Sequence, residues 1–94
     1  MKLDGVLHYE KTVYLPEENI ELTYRMFSSC GKYCLWILLV DGIEKEECHL
    51  FDVATSFSMA RRLWHLFTDE LVTPITAQDI LEQLLSDPAF LYAE

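Results

Sequence analysis

The sequence predicts an α+β domain: a four-stranded antiparallel meander followed by two helices packed on one face of the sheet. Three observations carry that reading. Residues 33–40 are an uncharged run rich in aromatic and β-branched types, and Asp41-Gly42 ends it as a strand ends at a hairpin. Residues 20–27 alternate, with Ile20, Leu22, Tyr24 and Met26 on one side and Glu21, Thr23 and Arg25 on the other, the period of a half-buried strand. After Ala54 the apolar residues recur at helical spacing instead.

The first strand spans about residues 2–14. Strict alternation puts Val6, His8 and Glu10 on one face and Leu7, Tyr9, Lys11 and Val13 on the other, more apolar one. Leu15-Pro16-Glu17-Glu18-Asn19 is a loop, with Pro16 suited to the first central position of a turn. The second strand, about 20–27, turns through Ser28-Ser29-Cys30-Gly31-Lys32 into the third, about 33–40. The fourth covers about 43–53. With Asp41-Gly42 as a two-residue turn, Val40 faces Ile43, Leu38 faces Lys45, Trp36 faces Glu47 and Cys34 faces His49. Glu44, Lys45, Glu46 and Glu47 mark a wetted edge, where charge discourages further pairing. The third strand is apolar on both faces, so each face calls for a cover. Helices can supply one, and a second subunit the other.

Thr55 or Ser56 can cap a helix over about 57–71. Phe57, Met59, Ala60, Leu63, Trp64, Leu66, Phe67 and Leu71 give it a broad apolar side, opposite Ser58, Arg61, Arg62, His65, Thr68 and Asp69. Thr73-Pro74 breaks it. A second helix, about 77–86, starts from Thr76 with Asp79 as a short-armed capping box and Ile80, Leu81, Leu84 and Leu85 as its stripe. Ser86-Asp87-Pro88 ends it, and the apolar tail Ala89-Phe90-Leu91-Tyr92 docks on the rest. No linker divides the 94 residues, which form one domain, 1–94.

The net charge of −9, with only seven Lys and Arg, argues against nucleic acid, whose binding needs cations to displace phosphate counterions. An anionic membrane surface is disfavoured for the same reason. The longest apolar run has eight residues, too short for a membrane span, and no apolar leader follows Met1-Lys2-Leu3-Asp4. Three cysteines, an odd number, make no disulfide framework. These features together predict a cytoplasmic protein.

No constellation for catalysis stands out. Arg61, His65 and Asp69 share one helix face, but a solvated face with weak ion pairs accounts for them. Glu17-Glu18 and Glu46-Glu47 are sequence neighbours, which strands direct to opposite faces. Ser28-Ser29 lacks the flanking glycines of a nucleophile elbow, and none of Gly5, Gly31 and Gly42 opens a helix. Cys30, Cys34 and His49 are the candidate metal ligands, since thiolate and imidazole suit zinc. Their spacing is not that of a knuckle, and buried cysteine is ordinarily a small apolar filler. The hydrophobic fraction of 51% is high for so short a chain, which favours a protein partner or a second copy. Met59, Leu66, Phe90 and Tyr92 are the candidate contact residues.

Gly42-Ile43-Glu44, Asp52-Val53-Ala54-Thr55 before a helix, and Val72-Thr73-Pro74-Ile75 leading into Asp79-Ile80-Leu81-Glu82-Gln83-Leu84-Leu85 give the C-terminal half a family likeness. It resembles a domain of unknown function found in small proteins of Gram-positive anaerobic bacteria. It departs from that pattern at Ala77-Gln78, where the family carries Leu-Tyr. The resemblance implies a bacterial cytoplasmic origin and brings no catalytic residue with it. The expected role is a non-catalytic interaction or regulatory module without cofactor, with a homodimer as one form of it. Alternative readings are a small Cys/His metal-binding protein and an acidic inhibitor that mimics nucleic acid.

Overall fold

Three tight turns fold the first half of the chain into a meander. The computed structural model describes residues 5–91. It contains β1 (Val6–Leu15), β2 (Ile20–Ser29), β3 (Lys32–Asp41) and β4 (Glu44–Leu50), then α1 (Phe57–Asp69), α2 (Pro74–Leu85) and a single-turn α3 (Pro88–Leu91). The four strands make one antiparallel sheet in the order β1-β2-β3-β4. The part of the first strand expected at residues 2–4 lies outside the described residues.

The turns set the register. Between β2 and β3 the two loop residues, Cys30 and Gly31, both have positive φ (54° and 75°), the pattern of a type I′ turn that matches strand twist. Between β3 and β4 the loop is Gly42-Ile43, with positive φ at Gly42 alone, as in a type II′ turn. The expected Asp41-Gly42 loop is therefore corrected. Asp41 stays in the ladder opposite Glu44, and the partners move by two: Val40 faces Lys45, Leu38 faces Glu47 and Trp36 faces His49. A shift of two preserves which face each side chain occupies, so apolar alternation alone does not distinguish the two registers. The fourth strand also stops at Leu50, short of the expected residue 53. Asp52 takes a φ of 55°, and only beyond it does the Val53 amide bond back to the Tyr33 carbonyl at 2.8 Å.

β1 departs from strict alternation as well. Its pairing passes from Leu7↔Phe27 directly to Tyr9↔Met26, so His8 is the extra residue of a β-bulge. Leu7 accordingly shares a face with Phe27, not with Tyr9 as alternation predicts.

Leu22, Tyr24 and Met26 of β2 and Leu35, Ile37 and Leu39 of β3 point into a single core with both long helices. α1 lies over β2 and β3, and α2 over β3 and β4. Ser56 caps α1 by accepting from the Met59 amide at 3.2 Å. At the other end Leu71 adopts a φ of 53°; its amide bonds to the Thr68 carbonyl and that of Val72 to the Phe67 carbonyl, a Schellman close. This reversal presents the Val72 carbonyl to the sheet, where the buried Tyr24 hydroxyl donates to it at 2.9 Å. α2 opens at Pro74, earlier than expected. Proline suits the first helical position because its missing N–H has no partner there anyway. The Thr76–Asp79 capping box is thereby superseded, since Thr76 already lies inside the helix. The tail docks as expected: Phe90 and Leu91 rest on the core, and Arg62 donates to the Phe90 carbonyl with its guanidinium 4.9 Å from the Phe90 ring.

Burial pushes the Tyr24 phenol from 10 up to about 12. The unfolded phenol ionises first, so this contribution to stability is complete below pH 10 and is lost as pH rises from 10 through 12. Tyr24→Phe should flatten that alkaline loss, read as urea midpoints across the interval. At neutral pH it should destabilise by about 1–3 kcal/mol, because the Val72 carbonyl is left buried without its donor. Cys30→Asn should instead raise stability by about 0.5–1 kcal/mol, since asparagine tolerates the left-handed conformation that cysteine resists; thermal unfolding under reducing conditions measures it.

Candidate functional site

Among the described residues the helices cover one face of the sheet only. The other face is a grid read directly from the register. One row runs Leu7, Phe27, Cys34; the next Glu10, Arg25, Trp36, His49; the third Thr12, Thr23, Leu38, Glu47; the last Tyr14, Glu21, Val40, Lys45. Phe51, just past β4, borders the first row and lines a cavity of about 250 Å³ with Phe27 and Cys34. Phe27, Trp36, Leu38 and Val40 are half-buried, while Leu7 and Phe51 are 53% and 70% exposed.

The second row is wired across all four strands. Arg25 pairs with Glu10 through Nε, and its guanidinium sits 4.9 Å from the centre of the Trp36 ring. Trp36 Nε1 donates to Glu47 Oε2 at 2.9 Å. Glu47 Oε1 lies 3.7 Å from His49 Nε2, and the His49 ring stacks on Phe51 at 6.1 Å. A depression of about 540 Å³ opens over this row. The Arg25–Glu10 ion pair and the His49–Glu47 contact are close to half-exposed, so each contributes at most about 1 kcal/mol to folding. The contacts of this row bring Arg25 and Trp36 together in the middle of the face.

The residues singled out from sequence fall elsewhere in part. Met59 is corrected: it is 6% exposed and packs in the core that α1 shares with the sheet. Leu66 and Phe90 are half-buried against the same core, and Tyr92 lies outside the described residues. Cys30 sits exposed in its turn, Cys34 is buried on the open face, and His49 faces Trp36 and not Cys34. Among the described residues no group of three or more His, Cys, Asp or Glu side chains is placed to hold a metal ion. Cys48 lies on the helix-covered face, where burial pushes its thiol up and away from the thiolate form. Arg61, His65 and Asp69 are exposed, and no hydrogen bond or ion pair joins them among the described residues.

One pair with catalytic-looking geometry escaped sequence reading. The His8 ring lies 2.8 Å from the Ser28 hydroxyl, brought there by the bulge. The ring also packs edge-on to Phe57 at 5.4 Å and is tilted against Tyr33 at 5.9 Å. No carboxylate orients its other nitrogen among the described residues, and neither cavity of the open face is lined by His8 or Ser28. A base–nucleophile pair needs both an orienting group and room for substrate. The contact is a polar bond that satisfies a half-buried ring within an aromatic cluster.

The exposure of the wired row sets a stability expectation. Arg25→Ala should shift the unfolding free energy by less than about 1 kcal/mol, whereas Phe67→Ala in the core should cost about 3–5 kcal/mol. Denaturant midpoints compare the two. Among the described residues no helix is long and apolar enough to cross a membrane. No family model, curated protein or solved structure matches the chain.

Proposed function

We propose that this chain is a non-catalytic protein-interaction module, cytoplasmic in a bacterial cell, whose contact surface is the open face of the sheet. One observation carries the reading: β3 presents Trp36, Leu38 and Val40 on the side that no helix covers. Scattered apolar residues on a surface are ordinary. Here they are contiguous, because Phe27 and Leu7 extend the patch across β2 and β1 and Phe51 extends it past β4. Contiguous apolar patches edged by polar groups mark sites of contact. Tryptophan and arginine, the residues most enriched at the energetic centres of interfaces, sit together in the middle. The acids outside this face are spread over the β1–β2 loop, the β3–β4 turn and both long helices, which favours a role in solubility over mimicry of a polyanion.

Leu38→Lys places a charge at the centre of the face without touching the core, so the variant should retain its circular dichroism and melting midpoint. Affinity capture from the cells that express the protein should recover a protein bound to the wild type and lost from Leu38→Lys. The same set of partners on both would overturn the assignment of this face.

A further inference from the structure

We infer that the open face is covered by a second copy of this chain, packed sheet to sheet about a twofold axis parallel to the strands. This rests on reading the face as a contact surface and names its occupant.

Charge selects the occupant first. The chain carries sixteen acids and seven bases. On the open face the charges nearly balance: Glu10, Glu21, Glu47 and, at the border beside Phe51, Asp52 stand against Arg25, Lys32 and Lys45. Most of the acid excess of the described residues therefore lies outside this face. Two copies of a surface with net charge would repel, whereas two copies of a balanced one need not. A strongly basic partner would gain little here compared with the rest of the molecule.

The grid selects the arrangement. A twofold axis along the strands keeps each row facing its own row and reverses the strand order, so β1 of one copy lies over β4 of the other. Leu7 then meets Phe51 of the second copy, and Phe27 meets Cys34. Glu10 meets His49, Arg25 meets Trp36, and Tyr14 meets Lys45. No like charges coincide. This axis also sets Glu21 over Val40, one charge against an apolar side chain in each copy, whereas an axis across the strands would set both Glu21 over Phe27 and Lys45 over Phe51. Sheets packed face to face keep their strands within about 30° of each other, and they lie about 10 Å apart. That leaves these groups in reach across the layer.

The area suffices. Four strands about 4.8 Å apart and up to ten residues long at about 3.3 Å each present roughly 600 Å² per copy. Together that is about 1,200 Å², the lower end of the range for specific, stable interfaces.

Sedimentation of the full chain from micromolar to millimolar concentration tests the occupant. The expected result is a dimer whose dissociation constant rises about tenfold or more in Leu38→Lys. A second variant tests the arrangement. Leu7→Cys with Phe51→Cys, in a chain carrying Cys30→Ser, Cys34→Ala and Cys48→Ala, places thiols at opposite edges of one sheet. Three strand spacings, about 14 Å, separate them within a chain, too far for an internal disulfide. Thiols facing each other across sheets about 10 Å apart also lie beyond direct disulfide reach, so a bis-maleimide too short to span about 14 Å is the probe, and it should yield a covalent dimer on a denaturing gel. A monomer at every concentration overturns the proposal. So does a dimer indifferent to Leu38→Lys, which would use another surface. A dimer sensitive to Leu38→Lys that the bis-maleimide leaves uncross-linked overturns the arrangement of β1 over β4. If the chain stays monomeric while Leu38→Lys still loses a captured partner, the second copy falls and the interaction reading stands.

Discussion

A single buried hydrogen bond locates the helical layer on the sheet. Tyr24 stands at the centre of the covered face with its ring edge-on to Trp64, and its hydroxyl reaches the carbonyl of Val72. Val72 is where α1 has ended and α2 has not begun. The bond thus ties the middle of β2 to the link between the two long helices. Its strength comes from its surroundings. In a dry core an unpaired carbonyl or phenol carries a penalty that neither would carry in water, so the two groups are held together by the absence of alternatives. Leu71 accepts an unfavourable backbone conformation so that the chain can turn there. Around this point Tyr9 stacks on Trp64 at 5.3 Å, which brings the edge strand β1 under the same cover.

One consequence is that the cover is one-sided. α1 and α2 are both committed to the Tyr24 face, and the short α3 is drawn to α1 by Arg62. Nothing in 57–91 crosses to the other side of the sheet. β3 nevertheless carries apolar residues outward as well as inward. The wired row from Glu10 to His49 adds little to folding because its ion pairs are solvated. The features of the open face therefore add little to the stability of the isolated chain, which fits the contact role proposed above.

Much of this architecture is legible in the residues themselves. The alternation of Leu22, Tyr24 and Met26 and the unbroken run from Tyr33 to Val40 define the two central strands, and the change of period after Ala54 defines α1. Other features escape for identifiable reasons. The β3–β4 register turns on whether Asp41 or Ile43 joins Gly42 in the loop, and both choices leave the same side chains inward. The bulge at His8 adds one residue without any proline or glycine to mark it. Pro74 reads equally as the end of one helix or the first residue of the next. The apolar residues point to α1, through Met59 and Leu66, and to the tail, through Phe90 and Tyr92, as a contact surface, yet the abundance on α1 reflects its packing on the sheet. The better signal was β3, apolar on both faces when helices could serve only one.

The bulge at His8 also bears on how copies of this molecule can add to one another. A regular outer strand offers its free amides and carbonyls to any passing chain, and such joining, repeated end to end, builds ribbons without limit. β1 breaks its own hydrogen-bond rhythm at His8, and β4 guards the far rim with Glu44, Lys45, Glu46 and Glu47. Both rims of the layer thus discourage open-ended growth, and the sheet-to-sheet pairing inferred above would close after two.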